Sequence, residues 1–159
     1  MLIELDSARS ENAIEPHSFA GLMDLYEHNY LRLRQIVPDL SLADQMISTV
    51  PGHADLYLCV KQRCKYTTML SMTYRFERPG FYLFEPDLHL KIYHDARVVE
   101  VEHLVKRQQG IVHTDPLLEH KWTMNRFLFK WLGFCLYQGH FFHPMNALKT
   151  NTINFKKYL

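Results

Sequence analysis

A histidine beside an aspartate is the pairing in this chain that most resembles catalytic chemistry. The stretch LKIYHDARVVEV, residues 90–101, contains His94 followed by Asp95. A catalytic histidine works with a group that orients its ring, but neighbouring residues on a strand point to opposite faces. The pair therefore indicates a turn between two strands rather than an acid/base site. A weaker hypothesis stays open, in which Tyr93, His94 and Arg97 form a pocket for an anion or a nucleotide.

The other histidines do not predict a metal site. The chain has ten of them, but none comes with the cysteine or carboxylate spacing of a zinc motif. His89 and His103 fall on neighbouring predicted strands, and the predicted register of those strands puts them on opposite faces. We therefore predict no metal and no cofactor.

The sequence also lacks the usual signatures of catalysis and of phosphate binding. It has no G-x-S-x-G elbow, no phosphate-binding glycine loop and no dinucleotide fingerprint, and it has six glycines in all. Three cysteines match no zinc or disulfide pattern, which indicates reduced thiols. These absences favour a protein without catalytic activity.

Composition indicates one folded domain without a strong electrostatic field at its surface. The 159 residues are 47% hydrophobic, and the formal net charge is +1, too small to collect nucleic acid or anionic membrane without specificity. The first fifteen residues contain four acids and no apolar run of signal-peptide length. We expect a cytoplasmic protein.

Hydrophobic periodicity predicts the regular elements that would carry these residues. Apolar side chains recur every three or four positions from Pro16 to Val37, which is typical of an amphipathic helix. Alternation then predicts a hairpin from strands at 56–60 and 66–76, with a weaker strand at 45–50.

A second hairpin follows, and its charges predict its register. If Asp95 and Ala96 form the turn, the core side pairs Leu90 with Val101 and Ile92 with Val99. The other side pairs Lys91 with Glu100 and His89 with Glu102, which places opposite charges across from each other. Because Ala96 suits a tight turn poorly, a four-residue loop from His94 to Arg97 is the alternative.

A long helix is predicted from Asp115 and Pro116 to Gly139. It is apolar around most of its circumference, which is typical of a helix covered on more than one side. We expect it to lie between the sheet and the first helix.

Two groups of residues are candidate surfaces for a partner. Arg126 and Lys130 share the polar stripe of the long helix, where they could be an ordinary solvated face or could join Arg32 and Arg34 in a basic surface for an acidic partner or RNA. Phe81, Tyr82 and Phe84 are predicted in a loop after the turn at Pro79 and Gly80. They could contact a partner, or they could fold back over the sheet edge.

Together the elements predict an α+β fold. We expect a four- or five-stranded antiparallel meander sheet, with an N-terminal and a long C-terminal helix packed on one face. The predicted organisation is an N-terminal extension at 1–15, a single domain at 16–140 and a C-terminal tail at 141–159.

Four stretches in order resemble the YqiB-like family of uncharacterised proteobacterial proteins: LYEHNYLRLRQIVP, CKYTTMLSM, LKIYHDARVVEV and NRFLFKWLGFCLYQG. The resemblance runs from about residue 16 to 140 and implies a bacterial cytoplasmic protein, but no activity. We expect a non-enzymatic interaction or regulatory protein that binds a protein partner or itself, with neither membrane nor nucleic acid. The alternative is a small enzyme or an anion- or nucleotide-binding protein that uses the pocket near His94 and Arg97.

Overall fold

The structure is a computed structural model that describes residues 17–41, 43–106, 110–113 and 117–143. The predicted N-terminal extension, the helix start at Asp115 and Pro116, and residues 144–159 of the predicted tail lie outside the described residues. The elements in chain order are α1 (Phe19–Ile36), β1 (Gln45–Ser48), β2 (Asp55–Arg63), β3 (Thr67–Arg78), β4 (Phe81–Tyr93), β5 (Val98–Lys106), β6 (Gly110–His113) and α2 (Leu118–Gln138).

The six strands of the described residues form one antiparallel sheet in sequential order, β1 to β6. The predicted α+β meander with two helices is confirmed. The short strand β6 extends the sheet beyond the expected four or five strands. Among the residues that the structure describes, neither helix is long and apolar enough to span a membrane.

Local chemistry explains where the helices begin and end. The Ser18 hydroxyl accepts a hydrogen bond from the Gly21 backbone N–H at 3.0 Å and so caps α1. Pro38 follows directly after the C-terminal cap residue, Val37. Helix α2 ends at Gly139, whose φ of 94° is the left-handed conformation that glycine adopts without strain.

Both helices pack on one face of the sheet and share one core. Leu33 and Ile36 of α1 and Leu128 and Trp131 of α2 belong to one hydrophobic cluster with buried strand residues, among them Leu90. Helix α1 also contacts β5 directly, so the helices lie side by side. The expectation that α2 separates α1 from the sheet is therefore wrong.

The hairpin of β4 and β5 has the predicted register near its turn. Lys91 faces Glu100, as the charges predicted, and Tyr93 faces Val98. Residues 94–97 therefore form the four-residue loop that was the alternative to a tight turn.

Farther from the turn, the predicted register is wrong. His89 faces His103 instead of Glu102, because a β-bulge adds Glu102 to β5 after Val101. Beyond the bulge, Leu88 faces Leu104, so the core side keeps its apolar residues. The bulge brings the two histidines to the same face.

Candidate functional site

The structure does not bring the three predicted pocket residues together around one point. The Tyr93 hydroxyl donates a hydrogen bond to Glu100 Oε1 at 2.8 Å. His94 Nε2 lies 2.7 Å from Thr68 Oγ1. Arg97 is exposed in a left-handed conformation with φ 56°, and no hydrogen bond or ion pair joins it to another described residue.

The surroundings of His94 favour its neutral form. Burial is the largest cause that lowers its pKa, and the nearby Arg34 guanidinium lowers it further, while Asp95 acts in the opposite direction. An anion at this loop would therefore be attracted mainly by the positive charge of Arg97, because the lowered pKa of His94 favours an uncharged ring.

The outward side of α2 is rich in aromatic and basic residues. Phe127, Phe134 and Tyr137 are 42%, 52% and 89% exposed. Arg126 and Lys130 are exposed on the same side, because residues three, four and seven apart share one face of a helix. We call these five residues the outer face of α2. The sheet and α1 cover α2 on two sides, but the apolar Phe127 and Phe134, which extend its apolar circumference, are left uncovered on this third side.

The other two predicted basic residues do not join the outer face. The Arg32 guanidinium lies over the Phe129 ring, 3.5 Å from its centroid, and its Nη1 donates to the Phe129 carbonyl at 2.6 Å. Arg34 Nη2 donates to the Pro38 carbonyl at 2.6 Å. The basic charge of the outer face is therefore that of Arg126 and Lys130.

Phe81, Tyr82 and Phe84 lie in strand β4, so the prediction that they belong to a loop is wrong. Tyr82 packs on the Arg75 guanidinium, whose Cζ lies 4.6 Å from the ring centroid. The Phe84 ring meets Tyr57 edge-on, with 6.2 Å between the centroids. Tyr82 and Phe84 thus contact other side chains of the sheet, although Tyr82, like Phe81, stays partly exposed.

The face of the sheet opposite the helices carries a polar group that sequence reasoning missed. The rings of His89 and His103 stack with 4.1 Å between centroids and 18° between planes. Asp87, two residues before His89 on the same face, places its Oδ2 3.4 Å from His89 Nε2. We call these three residues the second-face cluster. The D-x-H spacing was a possible signal, but the histidine across the sheet could be paired with it only once the bulge was known.

The second-face cluster does not surround one point as a formed metal centre would. Within the described ranges, no three histidine, cysteine, aspartate or glutamate side chains are placed to hold a metal ion. The arrangement nevertheless combines a nearly buried carboxylate with two imidazoles, which are common zinc ligands.

Comparison with known proteins assigns this α+β chain to a class. It belongs to the family described as Protein of unknown function (DUF1249), whose model matches residues 32–141. Among curated relatives, it is similar to the uncharacterized protein YqiB of Escherichia coli strain K12, with 25% identity over 127 residues that cover 76% of this chain and 90% of the relative. The YqiB proteins of Escherichia coli O6:H1 and O157:H7 match to the same extent. No solved structure matches.

Proposed function

We propose that this protein is a non-enzymatic interaction protein of the bacterial cytoplasm, and that the outer face of α2 binds an acidic amphipathic helix of a partner protein. The observation that carries the proposal is the exposure of Phe127, Phe134 and Tyr137 beside two basic side chains. Contiguous exposed apolar surface is a mark of interaction sites.

The residue types on the outer face suit a protein interface. Aromatic residues and arginine are enriched at interfaces and supply most of the binding energy there. Phe127 and Phe134 are seven positions apart on α2, which is the spacing of anchors that interlock with an apolar helix face. Helical stripes of this kind are recognised by a second amphipathic helix.

Charge selects the kind of partner. Arg126 and Lys130 form no ion pair with a described residue, so a partner with carboxylates around its apolar stripe would satisfy both. A symmetric dimer through this face would instead bring like charges together. The net charge of +1 offers little attraction to nucleic acid.

The proposal can be tested by placing a photo-crosslinking amino acid at Phe134 in bacterial cells. The matched control carries the crosslinker at Leu31, an exposed apolar residue of α1. We expect a crosslink at position 134 to an acidic helical segment, identified by mass spectrometry, and none to that segment at position 31. The R126E/K130E variant should lose the crosslink.

Binding of the identified segment as a peptide gives the quantitative test. Phe134→Ala should weaken it by about 2 kcal/mol, or about 30-fold, as for an interface hot spot. Crosslinks at Phe134 only to a second copy, to nucleic acid or to basic segments would refute the proposal.

A further inference from the structure

Lys130 lies in the middle of the aromatic part of the outer face of α2. It follows Phe127 by three positions and precedes Phe134 by four, and side chains at these spacings adjoin on a helix surface. Tyr137 lies on the same side, two turns beyond Lys130. A helix packed against the three aromatic residues would therefore cover the Lys130 side chain as well.

No acidic side chain of α2 is placed to neutralise Lys130. The one acid of this helix, Glu119, lies about three turns away. The positions three and four residues from Lys130 hold only basic or uncharged residues: Arg126, Phe127, Gly133 and Phe134. Arg126 even opposes the charge of Lys130, because like charges four positions apart on a helix destabilise each other.

The binding of a helix would therefore create a demand for one negative charge at this point. Apolar side chains alone would cover Lys130 without compensating its charge, which is strongly unfavourable. We infer that the partner helix carries a single aspartate or glutamate within its apolar stripe, at the position that faces Lys130. This inference rests on the proposed function, because it specifies the helix that the outer face binds.

Such an ion pair would fix the register of the two helices. In coiled coils, one polar residue in the apolar seam specifies register and partner at a cost in stability. A partner shifted by one heptad would bring its acid to Thr123 or Tyr137, neither of which carries a compensating charge. Lys130 would thus select one partner and one register, while Phe127 and Phe134 supply the apolar contact.

The test selects helices from a displayed library of three-heptad peptides, with the full chain as bait. Positions of the apolar stripe vary among leucine, glutamate and lysine, and all other positions are held as alanine or glutamine. Peptides selected by the wild-type protein should carry one glutamate in the stripe. Those selected by Lys130→Met should carry none, and those selected by Lys130→Glu should carry one lysine.

Binding of the selected peptides gives the quantitative result. A glutamate peptide should bind the wild-type protein about 10-fold or more tightly than its leucine counterpart, and Lys130→Met should reverse this preference. Arg126→Met should keep the preference, because Arg126 flanks the stripe formed by positions 127, 130, 134 and 137. Lys130 is exposed, so its variants remove no contact of the core.

The matched control is Lys61→Met, which removes the same charge from an exposed position of β2 and should select the same peptides as the wild-type protein. The same stripe composition for the wild-type protein and both Lys130 variants would overturn the inference. The proposed function would still be supported in that case if the peptides lose binding to Phe134→Ala. If no selected peptide depends on Phe134, the proposed function fails and the inference fails with it.

Discussion

Replacing Gly133 by alanine should destabilise the protein by acting on a contact between the two helices. A Cβ at this position would overlap Arg32 Nη1 and lie 3.2 Å from Arg32 Cζ. The guanidinium occupies that space because it donates to the Phe129 carbonyl and covers the Phe129 ring. The arginine must therefore leave its position to admit a methyl group.

The size of the effect follows from what is lost and gained. A hydrogen bond from a charged donor contributes about 1.5–3 kcal/mol, and a cation–π contact near the surface about 0.5–1 kcal/mol. Against this, alanine stabilises a helix by about 1 kcal/mol relative to glycine. We expect Gly133→Ala to lower the free energy of unfolding by about 1–3 kcal/mol.

A double-mutant cycle tests this explanation, because removal of Arg32 should reverse the sign of the effect of Gly133→Ala on the free energy of unfolding. In an Arg32→Ala background no guanidinium is displaced, so Gly133→Ala should raise the free energy of unfolding by about 1 kcal/mol. Urea unfolding of the four proteins, followed by circular dichroism, measures both values. If Gly133→Ala has the same effect in both backgrounds, Arg32 is not the reason for glycine at this position.

Three further predictions concern buried polar groups. Burial lowers the pKa of His140 in the folded protein, so the unfolded chain takes up a proton at this residue more readily. The free energy of unfolding should therefore decline as the pH falls below about 6.5, and it should decline less in His140→Gln. Urea unfolding across the pH range measures both. Burial raises the pKa of Cys135 to about 12, so a thiol reagent should modify the exposed Cys64 in the folded protein and spare Cys135 until denaturant is added, as mass spectrometry would show. Asn125 is fully buried, and its side-chain oxygen accepts a hydrogen bond from the Val101 N–H at 2.9 Å. Asn125→Ala should lower the free energy of unfolding by about 1–3 kcal/mol. An unchanged midpoint of urea unfolding would contradict this role.

Much of the secondary structure could be predicted because it depends on local chemistry. Pro38 and Gly139 mark helix ends through their own backbone preferences. The facing of Lys91 and Glu100 followed from charge alternation on a hairpin with a short loop. These signals lie within a few residues of the structure that they specify.

The β-bulge shows where such reasoning stops. A constant register predicts that His89 faces Glu102, and no residue at 101–103 signals an insertion. The bulge keeps Leu104 in the core, so packing against the helices decides it. The second-face cluster exists only because of that choice.

The sequence by itself determined the two helices, the order of the strands from β1 to β5 and which residues near the turn between β4 and β5 enter the core, since periodicity states which side of an element is apolar. It did not determine which sides of α2 are covered. That depends on how closely α1 approaches at Gly133, where Arg32 meets Phe129. The exposed Phe127 and Phe134 and the stacked His89 and His103 are likewise results of tertiary packing. The physical reason is that burial and contact are properties of pairs of elements distant in the chain, and a local pattern specifies only one member of each pair.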